Sequence, residues 1–235
     1  MASALARFDT EDVRRCGDEI RALGDGAPTM EAAAQRVAQY LYDELRDDDG
    51  GRACALVRVY KTHPFGMLPA DLQAFVGEEL DRDVRCLTLL GTAGDVPAWN
   101  DRRGSQGHQA IPLPSEHVVE QLPMVLQLIT QLGLDVTTVV RPDPDEARAL
   151  SQRTYDAFHV ADAATSPYVP AKDFVEAHAI RSALGFGGML FTGDFYAVVL
   201  FSKAPITADV AQLLKILALP VRVPLLAHLR RVFSG

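Results

Sequence analysis

Cysteine is scarce. Three residues, Cys16, Cys54 and Cys86, are an odd number in 235, and no two stand at Cys-x-x-Cys spacing. A disulfide framework and a structural zinc site are therefore poor readings, and a reducing compartment fits better. Long apolar runs are also missing. No stretch approaches the ~20 residues that a membrane-spanning helix needs, and Met1 to Arg15 turns charged too early for a signal peptide. A cytoplasmic location is the expectation that remains. Basic runs are absent too, and the formal charge is −8, so the surface repels a phosphate backbone and nucleic acid is a poor partner. No Gly-x-Ser-x-Gly elbow and no Gly-Lys-Ser/Thr phosphate loop appear, which removes the strongest cues for a serine nucleophile or a nucleotide site. Tryptophan occurs once, at Trp99.

Periodicity supplies the elements. Val13, Cys16, Ile20 and Leu23 recur at helical spacing after Asp9 or Thr10, which can cap a helix ending before Gly24. Thr29 caps a second helix whose stripe is Met30, Ala34, Val37, Leu41 and Leu45. The acids Asp47, Asp48 and Asp49 read as a solvated turn, because the spaced ligands of a calcium loop are missing. Strands are expected over Arg52 to Lys61 and Val84 to Leu90, with a helix over Pro69 to Leu80 between them. A short strand over Ile111 to Leu113 precedes a helix capped by Ser115 that restarts at Pro123. Val136 to Val140 reads as strand-like from its β-branched residues, Asp145 to Arg153 as a weak helix, and Ala157 to Ala161 as a short strand. Ile180 to Leu190 and Phe195 to Ser202 read as an antiparallel hairpin turned at Thr192-Gly193-Asp194. Thr207 caps a helix running towards Phe233 and split by Pro220 and Pro224.

A late antiparallel hairpin argues against a doubly wound parallel sheet. The expected class is α/β in the α+β sense, with one central antiparallel sheet flanked by helices and further helices at both chain ends. The expected division is an N-terminal helix over residues 1–28, a main domain over 29–207 and a helical segment over 208–235.

Chemistry concentrates between Val96 and Pro114, where a long irregular segment holds Trp99, Arg102, Arg103, Ser105 and His108. Guanidinium groups bind carboxylate or phosphate in bidentate fashion and an indole supplies an apolar wall, so Trp99, Arg102, Ser105 and His108 are candidate ligand contacts. The structural alternative pairs the arginines with Asp95 or Asp101 and packs Trp99 down. Gly185-Phe186-Gly187-Gly188 reads as a bulge or close backbone packing. No histidine pair has metal-site spacing on a helix, so no metal is expected, and no cofactor can be assigned.

Two blocks carry a resemblance. The first is Trp99-Asn100-Asp101-Arg102-Arg103 through Ser105 and His108, then Ile111-Pro112-Leu113 and Leu122-Pro123-Met124. The second runs from Phe158-His159-Val160 through Ser166-Pro167-Tyr168-Val169-Pro170, Asp173-Phe174-Val175 and Ile180-Arg181-Ser182 to Gly188, and closes with Phe195 to Ser202. Together they resemble the GAF-like sensory domains found beside bacterial histidine kinases. The resemblance covers Met30 to Leu219 in outline. It implies a small-molecule or chromophore pocket between the sheet and the Trp99–His108 segment, with Tyr168 or Arg181 at its rim. It also implies a homodimer through the Val13–Ile20 and Leu213–Leu229 helices, and a histidine kinase or other signalling protein as partner in trans. The cyclic-nucleotide signature of the family and a Cys-His dipeptide for a bilin are not found. The sensory reading stands beside two alternatives: a thiol redox enzyme on the same fold using Cys54 and Cys86, and a ligand-free interaction module.

Overall fold

The computed structural model describes residues 3–77 and 80–234. Two short strands, β1 (Ser3–Ala4) and β2 (Leu45–Arg46), pair in parallel and tie the two ends of the first helical hairpin together. That hairpin is α1 (Thr10–Ala22) and α2 (Met30–Glu44). Asp9 accepts from the amides of Glu11 and Asp12, while the Asp12 carboxylate accepts from the Asp9 amide. This reciprocal cap satisfies amides that the helix cannot, and such caps are each worth about 1 kcal/mol. Thr29 accepts from the Ala32 amide at the start of α2.

The main sheet has six strands. β3 (Cys54–Pro64), β4 (Arg85–Gly94), β5 (Ala110–Leu113), β6 (Phe158–Val160), β7 (Ser182–Met189) and β8 (Phe195–Ser202) lie in the order β5-β4-β3-β8-β7-β6. Every neighbouring pair is antiparallel, as the late hairpin led us to expect. The turn of that hairpin places Gly193 at φ +79°, a conformation that costs glycine nothing. Asp194 beside it is buried and receives Lys61 Nζ at 2.8 Å and Arg85 Nη1 at 2.5 Å, so one carboxylate pins the hairpin to β3 and β4.

Each face of the sheet has its own core. On one face α1 and α2 pack with the C-terminal helices α9 (Ala208–Leu214) and α10 (Ala218–Leu226), which a tight turn at Lys215–Leu217 joins. Ile20, Met30, Leu41, Val57, Val59, Leu90, Phe186, Val198, Leu214 and Leu225 fill this layer. Helix α2 lies unusually close to β4. A β-carbon on Gly91 would come within 2.3 Å of the Ala34 carbonyl oxygen, so only glycine lets the two backbones meet.

The other face is covered by short helices: α4 (Glu116–Glu120), α5 (Pro123–Gln131), α6 (Val136–Val140), α7 (Pro144–Ser151) and α8 (Lys172–Ala177). With α3 (Ala70–Val76) near β5, these complete the fold. Tyr60, Leu89, Leu113, Leu128, Phe158, Phe195 and Val199 belong to this second core.

Several expectations need correction. Val136–Val140 is a helix, not a strand. The segment packs against α4 and α5 and puts Val139 and Val140 into the second core, and this packing overrides the strand preference of its β-branched residues. The helix expected to Leu80 ends at Val76 on Gly77, whose φ is +73°. Residues 78 and 79 lie outside the described residues. The strand expected to stop at Leu90 runs through Gly91 to Gly94. The C-terminal helix does not reach Phe233. Beyond Leu226 the chain turns and lies across the start of α2, where the carbonyls of Arg231 and Val232 accept from the amides of Met30 and Glu31 at 2.8 Å each. The Gly185–Gly188 run keeps an unbroken register with β8, and the space beside Gly188 is taken by the Tyr155 ring.

Gly91→Ala forces α2 off the sheet. It is expected to lower unfolding stability by about 1–3 kcal/mol, measured by urea titration, with the far-ultraviolet spectrum preserved.

Candidate functional site

The Trp99–His108 segment folds as two tight turns, Pro97–Asn100 and Arg102–Gly104, against β4. Asn100 anchors it by exchanging hydrogen bonds with the Gly94 amide and carbonyl at 3.0 and 3.1 Å. Trp99 then lies over Gly94, where a β-carbon would come within 2.8 Å of the indole. Its ring meets His178 at 4.5 Å and Phe174 at 5.7 Å, and Phe174 meets Phe201 of β8 at 5.1 Å. The tryptophan is thus a roof that joins the loop to α8 above the second core.

Arg102 turns away from this roof. It is 2% exposed, and its Nε donates to Glu31 while Nη1 donates to Asp71 at 2.9 Å. Phe233 covers it, with the guanidinium carbon 5.8 Å from the ring centre. The partners are not Asp95 and Asp101. Asp95 binds Tyr42 and Lys203, and Asp101 accepts from the Arg103 amide. Arg103 is half exposed and only loosely near Glu31 and Asp71.

Ser105 and His108 turn the other way and meet a residue that the sequence did not single out. Arg58 projects from β3 on the same face as Tyr60, and its Nη2 donates to Ser105 Oγ at 3.0 Å while Nη1 donates to Tyr60 Oη at 3.2 Å. Its Nε is buried without a partner. Opposite Arg58 in register stands Thr92 of β4, fully buried, and its Oγ1 also lacks a partner. His108 adopts φ +59° at the loop tip and keeps contact with solvent. Crowding by protein atoms, and then the positive charge of Arg58, lower its pKa below the ordinary imidazole value. Tyr168 and Arg181 lie exposed on either side of α8 in the chain. Among the described residues no side-chain hydrogen bond, ion pair or ring contact joins them to the Trp99–His108 segment.

A strand with polar residues inside was the missed signal. Arg58, Lys61, Thr62 and His63 interrupt an otherwise apolar β3, and a charge in a central strand needs a reason. His63 is 2% exposed, faces Cys86 across the ladder, and meets the Phe233 ring at 5.2 Å in a tilted arrangement, yet both ring nitrogens lack partners among the described residues. Burial, and then the charge of Lys61, push its pKa well below the ordinary 6.5, and the Lys61 backbone offsets only part of this. Cys16, Cys54 and Cys86 are free and fully buried. Burial pushes the Cys54 thiol up to about 12 and the Cys86 thiol up to about 11. No group of three or more metal-ligating side chains is assembled among the described residues.

Two depressions mark the surface, the second beside Arg103 of the Trp99–His108 segment. A recess of about 70 Å³ is lined by Tyr155, Met189, Tyr196, Leu219 and Arg222, and an open groove of about 690 Å³ is lined by Asp71, Phe75, Arg103 and Gln109.

No protein-family model matches this chain, and no curated protein matches it. Solved structures do. The free methionine-R-sulfoxide reductase from Neisseria meningitidis, in complex with its substrate, superposes with a TM-score of 0.53 at 11% identity, over 97% of this chain and 95% of that one. The GAF domain of a phosphoenolpyruvate-protein phosphotransferase from Coxiella burnetii gives 0.51 at 11% identity, over 95% and 97%. The fold is GAF-like. At such low identity the shared property is the architecture: a six-stranded antiparallel sheet flanked by helices on both faces. No helix among the described residues is long and apolar enough to cross a membrane.

Arg102→Ala strips Glu31 of its buried partner. It is expected to cost about 3–5 kcal/mol of stability in urea unfolding, whereas an arginine kept only for a ligand would leave stability unchanged. His63 binds its proton less readily folded than unfolded, so stability present above pH 6.5 is lost as the pH falls. The slope approaches about 1.4 kcal/mol per pH unit. Melting curves between pH 7.5 and about 5.5 should show this decline, and His63→Phe should flatten it.

Proposed function

We propose that the chain is a GAF-like sensory or regulatory domain that takes a small molecule against the sheet face roofed by Trp99. The observation that carries this reading is the group at that face: Arg58 Nε and Thr92 Oγ1, both buried without partners, beneath a loop that also brings Ser105 and His108. Buried polar atoms of this kind cost about 1–3 kcal/mol each, and a ligand that bonded to them would recover that cost. Trp99, Ser105 and His108 are the roof and wall in this reading, and Tyr168 and Arg181 its outer rim. Arg102 holds the loop to Glu31 and Asp71 rather than meeting the ligand.

Output runs through the helices on the opposite face, acting on a signalling protein in trans, such as a histidine kinase, in a reducing cytoplasmic setting. Occupancy transmits a signal only if the ligand prefers one of two helix arrangements. The dimer contact expected along α1 and the C-terminal helices needs different residues from those the sequence suggested. Ile20 and Leu217 are fully buried within one chain. Ile216, Leu219 and Val223 are instead 46%, 46% and 44% exposed, at helical spacing along one stripe. That stripe is the proposed dimer surface.

Thiol redox chemistry of the reductase type needs a reachable thiolate. Three buried cysteines with no lowered pKa do not favour it.

Native mass spectrometry and visible absorption of freshly purified protein test the sensory reading: a co-purifying small molecule supports it. A ligand-free protein that also fails to bind any metabolite in a shift-of-melting screen overturns it in favour of an interaction module. Leu219→Asp is expected to halve the mass seen by light scattering with the circular dichroism spectrum unchanged, and an unchanged mass removes α10 from the dimer contact.

A further inference from the structure

Resting on the reading above, we propose that Arg58 and Thr92 form an oxyanion site, and that the ligand is a small monocarboxylate. The argument begins with charge. The other buried cations on the strands and their covering loops face acids: Arg102 has Glu31 and Asp71, and Lys61 and Arg85 share Asp194. Arg58 faces hydroxyls only, from Ser105 and Tyr60, and no carboxylate lies within ion-pair distance among the described residues. A half-buried guanidinium kept beside the apolar second core without a counter-charge destabilises the protein unless an anion arrives.

Geometry narrows the anion. Nη2 carries two hydrogens, and Ser105 Oγ takes one of them. Nε, which has no partner, and Nη2 share one edge of the fork, and with Ser105 on the outer hydrogen of Nη2 that edge would offer two parallel donors to the two oxygens of a carboxylate. Thr92 stands directly across from Arg58 on the neighbouring strand, with an uncommitted hydroxyl on the same face. It adds a third donor from a rigid element. Ser105 Oγ donates to the Gly107 carbonyl at 3.2 Å, so it holds the guanidinium in place rather than competing for the ligand.

Charge count separates carboxylate from phosphate. Among the described residues Arg58 is the one positive charge at this face. Crowding and the charge of Arg58 favour the neutral form of His108, and Arg102 and Arg103 are drawn towards Glu31 and Asp71. One charge balances a monoanion and leaves a phosphate dianion half compensated. The neighbouring aromatic wall of Trp99, Phe174 and Phe201 favours an apolar or aromatic body behind the carboxylate.

Trp99 is the sole tryptophan and reports on the site directly. The full chain is titrated with sodium benzoate, with benzamide as the neutral isostere, with sodium acetate and with inorganic phosphate, all at fixed ionic strength and read by Trp99 emission. The expected result is saturable binding of benzoate, at least about tenfold weaker binding of benzamide and of phosphate, and at least about tenfold weaker benzoate binding in Arg58→Gln. Thr92→Val should weaken benzoate several-fold, and Arg103→Ala should not change it. In the absence of anion, Arg58→Met and Thr92→Val should melt no lower than the parent, because the first removes a charge without a counter-charge and the second a buried hydroxyl without a partner. Four outcomes overturn the proposal: no saturable carboxylate binding, equal benzoate affinity in Arg58→Gln, tighter binding of phosphate, or a clear loss of stability in Arg58→Met. Benzamide binding that ignores Arg58 would end the oxyanion site while leaving a small-molecule face intact, so the two readings fail separately.

Discussion

β3 runs through the middle of the sheet with both faces covered, and everything it carries must be reconciled with the interior. Apolar positions meet this demand by alternating between the two cores, Val57 and Val59 to one side and Ala55 and Tyr60 to the other. Three of its polar residues meet it in three different ways. Lys61 shares a buried carboxylate with Arg85, and this ion pairing fastens the late hairpin to the strands formed far earlier in the chain. His63 gives up its proton and lies neutral under Phe233. Arg58 faces only hydroxyls, and no carboxylate among the described residues pairs with it. A central strand buried on both sides thus sorts these three residues into a lock, a silent ring and an open valence, and the third is where the proposed ligand would bind.

The two faces divide the labour that follows. One is closed by long helices whose approach is so tight that Gly91 is required beneath Ala34. Close packing of this kind is rigid and suits a mechanical connection. The other is closed by helices of five to nine residues and by a tryptophan-roofed loop. Elements so short draw little stability from their own hydrogen bonds. They are held by the apolar side chains they bury, and rearranging them costs less than moving α2.

The order of helices and strands was readable because each long element had a period and a cap. The caps at Asp9, Thr29, Ser115 and Thr207 all form. The hairpin was announced by Gly193, since a positive φ at that place has few other occupants. Val136–Val140 misled because β-branched residues describe a preference, while the neighbouring α4 and α5 decided the outcome. The roof was legible in its composition, but its arginine was not. A guanidinium seeks the nearest buried acid, and Glu31 and Asp71 are 71 and 31 residues away in sequence. The partnerless atoms of Arg58 and Thr92 had no local signature, because lacking a partner is a property of the assembled sheet. The one available hint was a charge inside an apolar strand.

The final turn of the chain carries a consequence for biosynthesis. The first amides of α2 are satisfied by the carbonyls of Arg231 and Val232, and Glu31 also receives the Ser234 amide. During synthesis the entrance of α2 therefore waits for residues 231–234 before it is sealed. Until then Glu31 and Arg102 face water rather than Phe233, and the nascent protein carries a seam that only the segment after α10 can close.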